Sequence, residues 1–210
     1  LFNPGVLGNI GFGTNGPWYR IRGVETSFIA VLAEGLTAQG GMSWNSSSQT
    51  NSPYLIANNP ELLADPTTKA LYGQPITSIK NVFGPLGTPS ANSPPFQFNL
   101  RLRYQWSIDS YHAFLQAGAT HTAHSYTQAG VNPALSTGGS VSTTLVRFEN
   151  PPYSQYDASA GVAKDDWSAE LYVQNLTNVN ASVFTSTTQF VPAETITRPR
   201  VIGIKVGYKF

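Results

Sequence analysis

The chain of 210 residues has no cysteine, little charge and no long apolar run, and each absence excludes a class of protein. Without cysteine it can form neither a disulfide framework nor a thiolate metal site. Charged residues make up 11% of the chain, well below the roughly 25% usual in soluble domains. The 12 basic side chains are balanced by 11 acidic ones, which leaves no excess of positive charge for nucleic acid. No apolar run approaches the roughly 20 residues that a membrane helix needs.

What the chain has instead is apolar and polar residues that alternate with a period of two. The pattern is unbroken from Phe96 to Ile108. A strand in a soluble sheet averages about 5–6 residues, whereas a tilted strand crossing a bilayer needs about 9–11. We therefore predict an all-β fold, an antiparallel up-and-down transmembrane β-barrel segment of about seven strands. The predicted strands lie near 18–32, 36–47, 96–108, 111–126, 153–163, 167–176 and 199–210.

The connections between these strands alternate between short turns and long loops. Short turns fall at 33–35, 109–110 and 164–166. Long loops fall at 48–95, 127–152 and 177–198. Barrels of the bacterial outer membrane have short periplasmic turns and longer extracellular loops. The sequence thus predicts a multi-pass β-barrel protein of that membrane, with the three long loops outside.

Two motifs near the C-terminus resemble a known family. An Asn-Leu-Thr-Asn step at 175–178 leaves the penultimate strand, and an Arg-Pro-Arg motif at 198–200 leads into alternating apolar residues that stop at Phe210. This hairpin is similar to the final hairpin of TonB-dependent receptors. The Arg-Gly-Val-Glu motif at 22–25 resembles a recurrent mid-barrel hairpin of the same family.

The resemblance implies a barrel of about 22 strands around an N-terminal plug domain. Such receptors import a scarce ligand, such as a siderophore, haem, cobalamin or an oligosaccharide, with energy coupled through TonB. Residues 1–210 contain no plug, and residues 1–5 do not resemble a signal peptide. We therefore expect this chain to be the C-terminal part of a receptor barrel, beginning after processing or within a longer protein.

The resemblance also implies a set of partners. These are outer-membrane lipid and lipopolysaccharide, the remainder of the barrel and the plug in the same or a separate chain, TonB through the plug, and the barrel-assembly machinery. The apolar phase of the last strand and its terminal aromatic resemble the signal that this machinery recognises by strand addition. The residues that would carry the assembly signal are Ile204, Val206, Tyr208 and Phe210.

Candidate ligand-binding side chains lie in the inward phase of the alternation. Neutral donors and acceptors toward the outer mouth, which could bind a sugar or a polar chelate, are Asn45, Gln97, Asn99, His124, Gln155 and Gln174. Arg101 and Arg103 are predicted to face inward nearer the periplasm. They could pair with plug carboxylates, line the exit path of the ligand, or be solvated lumen charges.

No catalytic or metal site is predicted. His121 and His124 are three residues apart on one predicted strand, so their side chains point to opposite faces and cannot share an ion. Asp165 and Asp166 fall in a predicted turn, and no serine has the context of a nucleophile elbow. We therefore expect neither a cofactor nor enzyme activity. Two alternatives stay open: a small outer-membrane structural or adhesive barrel protein, and a soluble β-sandwich binding module.

Overall fold

The structure, a computed structural model, describes residues 16–51, 63–64, 66, 69–73, 86–127, 148–186 and 193–209. Its strands are β1 (Trp18–Ala33), β2 (Leu36–Asn51), β3 (Phe96–Ile108), β4 (Tyr111–Thr122), β5 (Ser125–Tyr126), β6 (Glu149–Asn150), β7 (Tyr153–Lys164), β8 (Trp167–Gln174), β9 (Ser182–Ser186), β10 (Ala193–Ile196) and β11 (Val201–Tyr208). A 3-10 turn lies at Lys69–Leu71. Among the described residues, no helix is long and apolar enough to cross a membrane.

Seven strands form one antiparallel sheet in the order β1-β2-β3-β4-β7-β8-β11. The short strands form two small hairpins, β5 with β6 and β9 with β10. The prediction of an all-β antiparallel fold with about seven main strands is confirmed. A β-sandwich needs two packed sheets, whereas the described residues form a single large layer.

Apart from β3, the seven main strands differ from the predicted bounds at one or both ends, by one to four residues. Strand β2 continues to Asn51 instead of residue 47, because the backbone of Trp18–Arg22 on β1 pairs with it there. Strand β4 ends at Thr122 instead of 126, because Ser125–Tyr126 pairs with β6 in a separate hairpin. Strand β11 begins at Val201, after the Arg-Pro-Arg motif.

The three short turns contain residues with positive φ. Gly35 has φ 73°, and a Cβ there would overlap the carbonyl oxygen of Gln105, so this turn requires glycine. Asp109 and Asp165 have φ 52° and 49°, a conformation that aspartate tolerates better than most residues. These turns let each strand pair directly with the next one along the chain.

The sheet presents one apolar face and one polar face. One row across the centre of the apolar face contains Ala38, Leu102, Ala117, Ala158, Val173 and Ile202. Among the described residues, only Ala38 and Ala181 are buried apolar side chains, while Leu171 is 55% exposed and Ile204 is 72% exposed. The sheet therefore has no apolar core of its own, and its apolar face must be covered by an apolar medium or by further protein.

Candidate ligand-facing surface

The polar face consists of the residues that alternate with the apolar face. Its central row contains Gln39, Arg101, Gly118 and Asp157 in cross-strand register. The row toward the long loops contains Gly41, Asn99, Thr120 and Gln155. The row toward the short turns contains Thr37, Arg103, Gln116, Ser159, Tyr172 and Gly203. Because residues opposite each other across a ladder lie about 4.5–5.5 Å apart, each row is a line of neighbouring side chains.

Three of the predicted ligand-binding residues come together. Gln97, Asn99 and Gln155 line one concavity of about 580 Å³ on the side of the long loops. Glu25 and Tyr153 line the same concavity. Their amide, carboxylate and phenol groups can donate and accept hydrogen bonds, so this part of the polar face suits a polar ligand.

The other three predicted residues lie elsewhere. The Nδ2 of Asn45 donates to the carbonyl oxygen of Pro94 at 2.9 Å, and its Oδ1 accepts from the Oγ of Ser93 at 3.2 Å. Both ends of that amide thus hold the loop that precedes β3. His124 lies beyond the end of β4, with its ring centroid 5.7 Å from that of Tyr126. Gln174 lines a second concavity, of about 330 Å³, on the central row.

His121 lies on the apolar face. Its Nδ1 is 2.8 Å from the Oγ of Ser154, and its ring stacks on Phe98 with centroids 5.7 Å apart. His121 and His124 therefore do not lie on one strand as predicted, because only His121 belongs to β4.

The two predicted lumen arginines have different surroundings. The guanidinium carbon of Arg103 lies 3.7 Å from the centre of the Phe114 ring, and its Nη1 donates to the Oε1 of Gln116 at 3.2 Å. Arg101 lies on the concavity of about 330 Å³ and is exposed. Within the described part of the chain, its guanidinium makes no hydrogen bond or ion pair.

Aromatic rings cover two glycines of the polar face. The Phe114 ring lies over Gly161, its cross-strand partner, and the Tyr172 ring lies over Gly203 in the same way. A cation lies on the outer side of each ring: Arg103 over Phe114, and Lys205 over Tyr172 at 4.7 Å. The glycines leave room for a flat ring against the sheet, and the ring then holds a cation by cation–π attraction.

Gly161→Ala tests this layered arrangement. An added Cβ would lie 2.7 Å from the Cζ of Phe114 and 3.1 Å from the carbonyl oxygen of Ala169, so the ring must shift and its contact with Arg103 is disturbed. We expect a loss of about 1–2 kcal/mol in the free energy of unfolding, the size of one desolvated cation–π contact plus local strain. Urea unfolding of the protein in detergent measures it. Gly118→Ala is the matched control, because its nearest contact would be an ordinary 3.7 Å; equal losses in both variants would contradict the layered arrangement.

The structure adds residues that the sequence did not single out. Glu170 and Lys205 form an ion pair at 3.4 Å, and both line the concavity of about 330 Å³ together with Asp157. Their alternation phase places these residues on the polar face. Their proximity to Arg101 follows only from the strand register.

A network of hydrogen bonds closes the base of the last long loop. Buried Asn175 donates through Nδ2 to the carbonyl oxygens of Val179 and Arg198, each at 2.9 Å, and accepts at Oδ1 from the N–H of Val179 at 2.8 Å. Its own N–H donates to the Oδ1 of Asp157 at 2.8 Å. Thr197 adds a bond from Oγ1 to the Val179 carbonyl at 2.8 Å. The loop base is thereby tied to strand β7 of the sheet.

The residues predicted to carry the assembly signal lie on one side of β11. Ile204, Val206 and Tyr208 are exposed on the apolar face, and the Tyr208 ring lies 4.7 Å from that of Trp167. Phe210 lies outside the described residues. Among the described strands, β11 pairs only with β8, so its other edge is open.

Comparisons with known proteins agree on one kind of barrel. Residues 4–176 match the family model described as TonB dependent receptor-like, beta-barrel. The chain is similar to the siderophore receptor PiuA from Acinetobacter baumannii, with 14% identity, a TM-score of 0.60, and coverage of 91% of this chain and 22% of that one. It is also similar to P. aeruginosa FpvA bound to heterologous pyoverdines, with 15% identity, a TM-score of 0.55, and coverage of 91% and 20%. No curated protein matches the sequence. The chain spans about a fifth of the length of these solved structures.

Proposed function

We propose, from the premise that this chain belongs to the TonB-dependent receptor-like β-barrel family, that it forms part of the wall of an outer-membrane receptor importing a scarce ligand. In this proposal the polar face lines the lumen and the apolar face contacts lipid. No group of the chain is assigned a catalytic role.

The observation that carries the proposal is a single sheet layer with one apolar and one polar face. A strand of 13 residues such as β3 is about 43 Å long, and a tilt of about 40° leaves a rise of about 33 Å. This exceeds the apolar band of about 25 Å on an outer-membrane barrel. Lipid would cover the large apolar side chains that no protein core buries.

The open edges support a larger assembly. Strands β1 and β11 each have one edge without a partner among the described residues, and open sheet edges do not occur in lipid. We expect both edges to pair with the remaining strands of the barrel. Ile29 and Val31 lie on the polar side of β1 at 81% and 75% exposure, which suits contact with a plug inside the barrel.

A ferric siderophore is the first ligand class to test. PiuA and FpvA are a siderophore receptor and a pyoverdine-bound protein, although their likeness to this chain shows only the fold. The neutral amide side chains of Gln97, Asn99 and Gln155 suit a polar chelate as well as a sugar. Haem, cobalamin and oligosaccharides are the other classes to compare.

The assembly role is proposed for β11. Its open edge and the exposed Ile204, Val206 and Tyr208 suit recognition by strand addition in the barrel-assembly machinery. Phe210 would complete this signal. Lipid and lipopolysaccharide would then contact the same apolar side chains in the finished barrel.

Deletion of the gene and fractionation of its source cells test the function together. We expect the protein in the outer-membrane fraction, and a loss of uptake of one radiolabelled ligand class when the gene is deleted. Uptake that requires both this gene and TonB would support the receptor. An outer-membrane protein whose deletion alters cell shape or adhesion, with uptake of all four classes intact, would instead favour the structural or adhesive alternative.

A further inference from the structure

We propose that the polar face holds a binding site for a small zwitterion, centred on Gly118, with Arg101 binding a carboxylate and Asp157 binding an ammonium group. This inference rests on the proposed function, in which the polar face lines the lumen. It adds a class of ligand and a place for it.

Gly118 forms the floor of the site. Arg101 and Asp157 are its cross-strand neighbours on either side. Since adjacent strands are about 4.8 Å apart, the Cα atoms of these two residues are about 10 Å apart. The missing side chain at Gly118 opens the concavity of about 330 Å³ between them.

The two charges face this floor without neutralising each other. The Oδ2 of Asp157 would lie 4.0 Å from a Cβ added at Gly118, so the carboxylate lies beside the floor. Its Oδ1 is held by the N–H of Asn175 at 2.8 Å, which fixes the orientation of the carboxylate. Arg101 makes no ion pair among the described residues, and its planar guanidinium suits a carboxylate ligand.

The neighbouring charges are already satisfied. Lys205 and Glu170 line the same concavity but pair with each other at 3.4 Å. Arg103 is held over the Phe114 ring and by Gln116. One cation and one anion are therefore left facing an open floor, an arrangement that favours a ligand carrying both charges over one carrying either alone.

Three matched probes test the site on the full-length protein in detergent: 4-aminobutyrate, butyrate and butylamine. Saturation-transfer NMR measures their affinities. We expect 4-aminobutyrate to bind at least about 10-fold more tightly than either singly charged probe, as expected when two charged contacts replace one. Gly118→Val fills the floor and should abolish binding. Arg101→Gln and Asp157→Asn should each remove most of the preference, and Asp157→Asn keeps the acceptor for Asn175.

Arg103→Gln is the control, because that arginine lies two residues along the same strand and is already held. Equal affinities for the three probes, or binding that survives Gly118→Val, would overturn the site. If the unmodified protein does not bind the probes, and Gly118→Val binds the plug more weakly, the concavity is a contact site for the plug instead of a ligand site. The site and the proposed function can fail separately. If the protein binds the zwitterion but deletion of its gene leaves ligand uptake intact, the site is supported and the receptor role is contradicted. If uptake requires the gene but the protein shows no preference for 4-aminobutyrate, the receptor role is supported and the site is contradicted.

Discussion

Asn175→Ala is expected to lower the free energy of unfolding by about 3–5 kcal/mol, because the substitution removes three hydrogen bonds of a buried amide side chain and places alanine at a positive φ. The Nδ2 of Asn175 donates to the carbonyls of Val179 and Arg198, and its Oδ1 accepts from the N–H of Val179. The residue also has φ 51°, which alanine adopts only with strain. Urea unfolding of the protein in detergent measures the loss. Limited proteolysis within 177–198 should accelerate in parallel.

Asn175→Gly separates the two causes. Glycine adopts the positive φ without strain but lacks the amide. If the hydrogen bonds dominate, the glycine variant should therefore show most of the loss in free energy of unfolding that the alanine variant shows. Asn180→Ala is the matched surface control, since Asn180 is an exposed asparagine of the same loop. A loss below about 1 kcal/mol in Asn175→Ala, the size of one ordinary hydrogen bond, would mean that the network does not hold the loop base.

Leu100→Arg should hinder membrane assembly by about 2–4 kcal/mol, the cost of an arginine on the lipid side at the bilayer midplane. Leu100 lies on the apolar face between Gly40 and Ala119, whose small side chains leave it 36% exposed. An arginine there would lie between Gly40 and Ala119 and, in the proposed barrel, would face lipid. Refolding of the protein into vesicles, followed by urea titration, gives the difference in free energy.

Gln97→Arg is the control for this substitution. Gln97 belongs to the same strand but faces the polar side, so its replacement should be nearly neutral. Equal losses in the two variants would contradict the proposed function, in which the apolar face contacts lipid.

The sequence predicted the strands whose side chains alternate and missed the ends where they do not. The predicted bounds of β3 equal those observed, because its apolar and polar residues alternate over the whole of Phe96–Ile108. The end of β2, Ser46–Asn51, consists only of polar residues, and backbone pairing with β1 extends the strand there without any alternation of side chains. The predicted strand continues past Thr122 to residue 126, on a weak alternation of side chains. In the structure Ser125–Tyr126 instead pairs with β6.

The polar face was predictable as a set of residues and not as a site. Alternation places Arg101 and Arg103 on the same side of β3. It cannot show that Arg103 contacts Phe114 and Gln116 while Arg101 lines a concavity with Gly118, because these neighbours come from another strand. Register between strands is set by turns and by packing, and a one-residue slip would exchange all these neighbours. The loop-base network depends likewise on Asp157, far from Asn175 in sequence.

The carboxylate of Asp157 joins the base of the last long loop to the concavity at Gly118. One oxygen accepts the N–H of Asn175 at the base of the last loop, and the other lies beside Gly118. A ligand that draws this carboxylate toward the floor strains the bond to the loop base, and a movement of the loop displaces the carboxylate. Ligand binding on the polar face and the position of the loop at 177–198 then share one free energy of coupling, which must have the same size measured from either end.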